Sequence, residues 1–319
     1  MIGSLLQRNL EPAASRIQET FYPLGFPLVV SSNSEAVLKA AHIEWDAWAI
    51  RSPKFDEPPI VLTFHVSEET PELPDTSEFH AHLHQFTFVA DLRNHAVCDT
   101  RTHTGVAWIT ASAAGDPAWL RYHFLEAMAL EMIVSLHMTP FHAACVANKN
   151  GSGVLLCGDS GAGKSSLSYA CARRGWAYLS DDATYLIRDR ASERIVLGHP
   201  HRIRLRPDAP HLFGELWDYQ PTRRGNGKMS LEISLAGLNI WSARQTRIDR
   251  IILLKRAAHN RLTQANESAA RSLCEPIFYW WDPKISAAQQ RAFDTLLAAV
   301  TVHSLEYSNL DAAIDLLER

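Results

Sequence analysis

The sequence predicts an α/β protein with a phosphate-loop core behind an N-terminal α/β lobe. Three observations carry that expectation. The stretch Gly158-Asp159-Ser160-Gly161-Ala162-Gly163-Lys164-Ser165 satisfies G-x-x-x-x-G-K-[ST] at every fixed position. It is framed by the apolar run Gly153-Val154-Leu155-Leu156-Cys157, which reads as a buried strand, and by residues 166–174, which read as a helix stopped by Gly175. A second apolar run then ends in the adjacent carboxylates Asp181 and Asp182, only 17 and 18 residues after Lys164.

The remaining elements follow from local pattern. In the first lobe, 27–30 reads as a short strand, and Ser32-Asn33-Ser34 supplies a cap for a helix over 35–48. Residues 59–66 form a strand, the acidic, proline-bearing stretch 67–77 a surface loop, and 86–92 and 105–110 further strands. Asp116-Pro117 opens a helix, with Asp as cap and Pro in the first turn, running to about His137. Beyond the loop region, 249–255 reads as a buried strand, 257–272 as a long polar loop, 286–300 as an amphipathic helix, 302–307 as a strand and 309–319 as a closing helix. The expected division is 1–111 for the first lobe, a candidate substrate-docking unit, and 112–319 for the catalytic part.

The chemistry of the glycine loop follows from its residue types. Glycine turns tightly and lets the backbone approach an anion, and a helix start aims N–H groups and its positive end at one spot. Lys164 is expected to reach the β- and γ-phosphates as a point charge, and the Ser165 hydroxyl to sit on Mg²⁺. The backbone from Gly158 through Asp159, Ser160, Gly161, Ala162 and Gly163 to Lys164, Ser165 and Ser166 is the expected nucleotide-binding stretch. ATPases, GTPases, kinases and nucleotide sensors all share such a loop. The Asp181-Asp182 pair narrows the choice: on a regular strand the two carboxylates face opposite sides and cannot share one task. One would face the metal and the other an incoming hydroxyl, unless the pair is simply a turn ending a strand.

Taken together, Gly-Val-Leu-Leu-Cys-Gly-Asp-Ser-Gly-Ala-Gly-Lys-Ser-Ser, the helix ending Arg-Arg-Gly, and Leu-Ser-Asp-Asp resemble the HPr serine kinase/phosphorylase catalytic domain. Upstream, Phe141-His142-Ala143-Ala144-Cys145-Val146-Ala147 resembles the strand carrying that family's active-site histidine. The likeness covers about residues 140–190 and places the chain in the broad HPr-kinase-like group. It implies a phosphoenolpyruvate-carboxykinase-like fold and an ATP- and Mg²⁺-dependent kinase acting on a hydroxyl, foremost serine of a peptide or protein. It further implies Lys164 on the phosphates, Ser165 and Asp181 at the metal, Asp182 as the proton acceptor for the substrate hydroxyl, and His142 beside the transferred phosphoryl group. The family's downstream metal-site glutamate and its glycine-rich segment have no clear counterpart, which counts against reverse phosphorylase activity and against HPr as substrate. Family members assemble into rings, so a homo-oligomer is a further expectation.

Downstream of Asp182 lies a basic stretch. Arg202, Arg204 and Arg206 alternate with Ile203 and Leu205 as one face of a strand, and Lys228 sits beside a glycine-bearing loop. Arg202, Arg204 and Arg206 are expected to meet phosphates or an acidic substrate, with a solvated strand face as the alternative, and Arg202, Arg204 and Lys228 are the candidate substrate contacts. His80, His82 and His84 share one face of an expected strand; a metal site there lacks any accompanying carboxylate motif. Asn148-Lys149-Asn150-Gly151 reads as a turn, and the aromatic run Phe278-Tyr279-Trp280-Trp281 as core or lobe contact.

Composition sets bounds on function. Net charge is −4, with no chain-wide pull toward nucleic acid. Five scattered cysteines (Cys98, Cys145, Cys157, Cys171 and Cys274) read as free thiols in a reducing cytoplasm. No secretory leader is apparent and no apolar run reaches bilayer length, so no membrane partner is expected. Two alternatives to a serine kinase stay open: a small-molecule hydroxyl kinase, and a nucleotide-gated binding protein that transfers no phosphate. The last would not need His142 or the Asp pair.

Overall fold

The computed structural model describes residues 16–319 apart from 47–49, 53, 224–227 and 275–280. The chain is mixed α/β and divides into two compact units: residues 1–80 with 85–129, and 81–84 with 130–319. The boundary therefore falls at Ala129, inside a helical segment rather than at 111.

The first unit is built on a seven-stranded sheet. Its strands are β1 (Ile17–Phe21), β2 (Leu28–Ser32), β3 (Ile60–Ser67), β4 (Glu78–His82), β5 (Gln85–Val89), β6 (His95–Asp99) and β7 (Thr104–Thr110), in the order β1-β2-β3-β7-β6-β5-β4. β3 shows why these residues form a half-buried strand: Ile60, Leu62 and Phe64 are buried while Val61, Thr63 and His65 between them are not. Helix α1 (Glu35–Trp45) follows β2 and buries Val37, Leu38, Ala41 and Trp45. Short α2 (Ala111–Gly115) leads to α3 (Pro117–Leu120). There the Asp116 carboxylate accepts from the N–H groups of Ala118 and Trp119, the cap expected from Asp-Pro. One π-helical turn, Arg121–Leu125, joins α3 to α4 (Glu126–His137).

The second unit carries a nine-stranded sheet. Its strands are β8 (Met138–Phe141), β9 (Ala144–Ala147), β10 (Ser152–Cys157), β11 (Ala177–Ser180), β12 (Thr184–Ile187), β13 (Ile195–Leu197), β17 (Gln245–Arg256), β18 (Arg261–Gln264) and β19 (Thr301–Tyr307). Along the main path the order is β11-β9-β10-β17-β13-β12-β8, with β19 on β17 and β18 on β19. A separate small ribbon comprises β14 (Arg202–Leu205), β15 (Thr222–Arg223) and β16 (Met229–Ser234). The helices are α5 (Lys164–Arg173), α6 (Glu267–Cys274), α7 (Pro283–Leu297) and α8 (Leu310–Leu317).

The alternation along β10 fills two cores. Val154 and Leu156 face the cluster with Leu167, Tyr169, Trp176, Tyr178 and Tyr307, while Leu155 and Cys157 face the cluster with Phe141, Leu179, Phe293 and Leu296. Such a strand is buried on both sides and must read as a continuous apolar run, as this one does.

Several expectations are revised. The run 141–147 is not one strand: it breaks at His142-Ala143 between β8 and β9. The stretch 257–272 is not a bare loop but holds β18 and most of α6. The 86–92 strand ends at Val89, and the imidazole face stops at His82, because Leu83 takes a left-handed turn conformation (φ 51°) that swings His84 out of the strand. The expected end of the first helix at Trp48, and Phe278 to Trp280, lie outside the described residues.

Candidate active site

Three parallel strands deliver the site to one edge of the second sheet. β17 runs parallel to both β10 and β19, so all three end on the same side. The glycine loop follows β10, while Arg256 and Tyr307 are register partners at the ends of β17 and β19. In open α/β sheets, ligands bind outside the carboxyl ends of parallel strands.

The loop itself turns on three glycines with positive φ, at Gly158 (153°), Gly161 (91°) and Gly163 (99°). Gly163 has a steric reason as well. A Cβ built there would overlap the Tyr307 hydroxyl and lie 3.0 Å from Nη2 of Arg256. The Tyr307 hydroxyl in turn donates to the Ala162 carbonyl at 2.6 Å, which ties the loop to the end of β19. Lys164 opens α5 and is buried. Its ammonium donates to the carbonyls of Gly158 (2.7 Å) and Asp159 (3.4 Å), so the loop wraps its own lysine. Burial lowers the Lys164 pKa, while the negative charge of Asp182, foremost, and that of Asp159 oppose the shift.

The two adjacent aspartates occupy a bend after β11 and take different environments. Asp181 is buried; one carboxylate oxygen accepts from the Tyr178 hydroxyl at 3.0 Å and the other from the Arg204 N–H at 3.1 Å. Burial, aided by the Asp182 charge, pushes its pKa up to about 6, against the pull of Tyr178 and Arg204. Asp182 is half-exposed, with Oδ1 3.0 Å from Nδ1 of His142. A hydroxyl chain fixes this geometry. Ser180 and Thr184, on either side of the bend, meet at 2.7 Å, and Thr184 donates to the Ala143 carbonyl at 2.9 Å, next to His142. The bend and the strand break are therefore locked together.

Of the residues expected from sequence, Lys164, Ser165, Asp181, Asp182 and His142 come together beside the loop. Ser165 Oγ donates to the Asp181 carbonyl at a long 3.4 Å. Asp181 was expected at the metal, yet both its oxygens are engaged by protein donors, and the contacts to Tyr178 and Arg204 make it a brace for the β14 ribbon. Among the described residues, no group of three His, Cys, Asp or Glu side chains is arranged to hold a metal ion.

Arg202 and Arg204 do share one face of β14, with Ile203 and Leu205 buried on the other. The Arg204 side chain, expected at the substrate, is 2.9 Å from Glu232, its register partner on β16. Lys228 is exposed just before β16. Most of the basic stretch has structural work: Arg188 donates to the carbonyls of Val134, Ser135 and Met138 around the end of α4, and Arg190 pairs with Glu193.

Sequence reasoning missed Arg256 near the loop, while Arg206 is one of the arginines it expected at phosphates or an acidic substrate. Nη2 of Arg206 lies 3.3 Å from where a Gly161 Cβ would sit. The parallel pairing of β10 with β17 was the signal for Arg256, because a basic residue ending the neighbouring strand necessarily reaches the loop edge.

No family model matches the chain, and no curated protein matches it. Among solved structures it is similar to the HPr(Ser) kinase/phosphatase from Coxiella burnetii, at 15% identity over 56% of this chain and 90% of that chain, with a TM-score of 0.28. A likeness that low carries no assignment, so the functional reading rests on the site itself. Among the described residues no helix is long and apolar enough to cross a membrane.

Proposed function

We propose that the protein is an ATP-dependent kinase that transfers the γ-phosphoryl group to a hydroxyl, with serine of a peptide or protein as acceptor. One observation carries this reading: a half-exposed carboxylate, Asp182, held by His142 at 3.0 Å, acts electrostatically on the lysine of a glycine-lined anion loop. A nucleotide sensor needs the loop and the lysine. It has no use for a second carboxylate braced beside them by the Ser180–Thr184–Ala143 chain.

Phosphoryl transfer asks chiefly for positioning and charge neutralisation. The N–H groups of residues 160–165 and the start of α5 would hold the phosphate oxygens. Lys164 would exchange the Gly158 and Asp159 carbonyls for the β- and γ-phosphates, a stronger, charge-assisted contact. Asp182 would accept the proton of the acceptor hydroxyl as its oxygen attacks phosphorus, and His142 would keep the carboxylate aimed. Mg²⁺ would be held by Ser165 and the phosphates' own oxygens, and would supply further charge neutralisation. Asp181 already accepts one protein hydrogen bond on each oxygen, so only its remaining lone pairs would face that ion.

The test is incubation with Mg²⁺-ATP and a library of serine-containing peptides, read by mass spectrometry as gain of one phosphate together with ADP formation. Asp182→Asn is the control: turnover equal to that of the parent overturns the assignment of the base. Phosphate gain on metabolites but on no peptide moves the acceptor to a small-molecule alcohol.

A further inference from the structure

We propose that Arg256 is a phosphate-binding residue of this site, working with Arg206 as a pair of cations that grip the nucleotide's phosphate chain from two sides of the loop. The inference rests on the kinase reading above and adds to it two residues that lie outside the glycine motif.

Four observations meet here. First, position: Arg256 is the last residue of β17, the strand beside β10, and its guanidinium comes within 3.0 Å of the place a Gly163 side chain would take. The absence of a side chain at Gly163 therefore leaves the guanidinium in reach of the helix start, where a phosphate would sit. Second, orientation: the guanidinium carbon lies 4.3 Å from the centroid of the Tyr307 ring, and Tyr307 is buried and bonded to the Ala162 carbonyl. A planar cation stacked on a fixed ring has lost much of its rotamer freedom before any ligand arrives.

Third, unspent charge. Among the described residues the Arg256 side chain makes no hydrogen bond or ion pair, and its exposed N–H groups are available to an anion. The same holds for the Arg206 side chain, near Gly161. Arg204, two residues earlier on the ribbon, spends its charge on Glu232. Fourth, chemistry: guanidinium forks match phosphate oxygens in bidentate fashion, whereas Lys164 offers a single point charge.

The ligand class that satisfies this arrangement is a di- or triphosphate. A di- or triphosphate presents several phosphate groups to Lys164, Arg256 and Arg206 at once, which a monophosphate does not. Isothermal titration with Mg²⁺-ATP, Mg²⁺-ADP, AMP and tripolyphosphate tests it, using the parent, Arg256→Gln, Arg256→Lys, Arg206→Gln and Tyr307→Phe. The expected result is a Kd for ATP and tripolyphosphate raised at least tenfold in Arg256→Gln, and partial recovery in Arg256→Lys. Arg206→Gln should show a smaller rise, Tyr307→Phe less than fivefold because the ring stays, and AMP weak binding insensitive to all four. Melting temperatures without ligand should stay close to the parent's for the arginine variants, since neither arginine makes a hydrogen bond or ion pair to the described protein and Arg256, stacked on Tyr307, is exposed.

Parent-like affinity for ATP and tripolyphosphate in Arg256→Gln overturns the inference while leaving the kinase reading intact. Absence of ATP binding in the parent itself overturns both. A drop in Arg256→Gln melting temperature that tracks the affinity loss, with no recovery in the lysine variant, assigns Arg256 a purely structural task and also overturns the inference.

Discussion

The two sheets handle buried polar groups in opposite ways. In the first unit two buried polar hubs are closed. Asn94, fully buried, accepts from the Thr110 N–H and hydroxyl and donates to the Asp91 carboxylate, while buried Glu44 lies 3.2 Å from Arg121. These contacts satisfy their members and leave no reactive group. In the second unit the buried charges are kept at a cost. Lys164 has only carbonyls for direct partners, and burial, aided by the charge of its neighbour, pushes the Asp181 pKa up to about 6. Paired networks stabilise a scaffold, whereas a buried charge without a counter-charge in contact marks a place that awaits one. By this measure the buried polar groups of the first unit brace its scaffold, and the proposed chemistry falls to the second.

The sharpest way to break that contrast is Asp182→Asn. Loss of the base should lower kcat by about 10²- to 10⁴-fold, with ATP affinity retained, measured by ADP release and titration. If kcat survives, the open carboxylate has no chemical task and the two units no longer differ in kind. Lys164→Met comes next. Removing the loop's cation should cost about 10²- to 10³-fold in kcat/KM and abolish tight triphosphate binding. Far-ultraviolet circular dichroism should stay unchanged, because the lysine's direct contacts are two carbonyls of its own loop.

Gly163→Ala sharpens the comparison sterically. Its positive φ and the overlap with the Tyr307 hydroxyl should together cost roughly 2–3 kcal/mol of stability and displace the loop. The double variant Gly163→Ala/Tyr307→Phe should recover part of that loss, because the overlapping oxygen is gone. Chemical denaturation of the four members of this cycle measures the coupling, and strict additivity contradicts the described contact.

Much of this was legible in the chain, and the failures have physical causes. The strand, loop and α5 are local: a doubly buried strand must be apolar, the loop needs its glycines, and Gly175 ends the helix, so 153–175 reads correctly from sequence. The Asp116 cap is local too. The break at His142-Ala143 was hidden because apolar residues continue through it, and only tertiary bonds from Thr184 reveal the corner. β18 was hidden because Arg-Leu-Thr-Gln is polar and gains its order by pairing with β19. The basic run after Asp182 showed charge without partners; Glu232 and the α4 carbonyls that absorb Arg204 and Arg188 lie far away in sequence. Arg256 showed nothing at all, since its place beside the loop arises only from the parallel register of β10, β17 and β19.

The smallest effect tests the energetic half of the comparison. Asp181 has its folded pKa raised from 3.8 to about 6. Its contribution to stability is thus fully present below about pH 4, where it is protonated both folded and unfolded, and is lost as pH rises through about 6. Asp181→Asn removes that loss. The amide can keep the arrangement: its oxygen accepts from the Arg204 N–H and its NH₂ group donates to the Tyr178 oxygen, whose hydroxyl proton then turns from position 181 to the Arg202 carbonyl, 3.1 Å away. Without nucleotide or metal, the variant should therefore match the parent near pH 4 and exceed it at pH 7 by on the order of 2 kcal/mol, read from urea denaturation across that range. A parent whose stability is flat between pH 4 and 7 relative to the variant would show that Asp181 carries its charge without penalty. The second unit would then be as fully compensated as the first, and its buried charges would no longer set it apart.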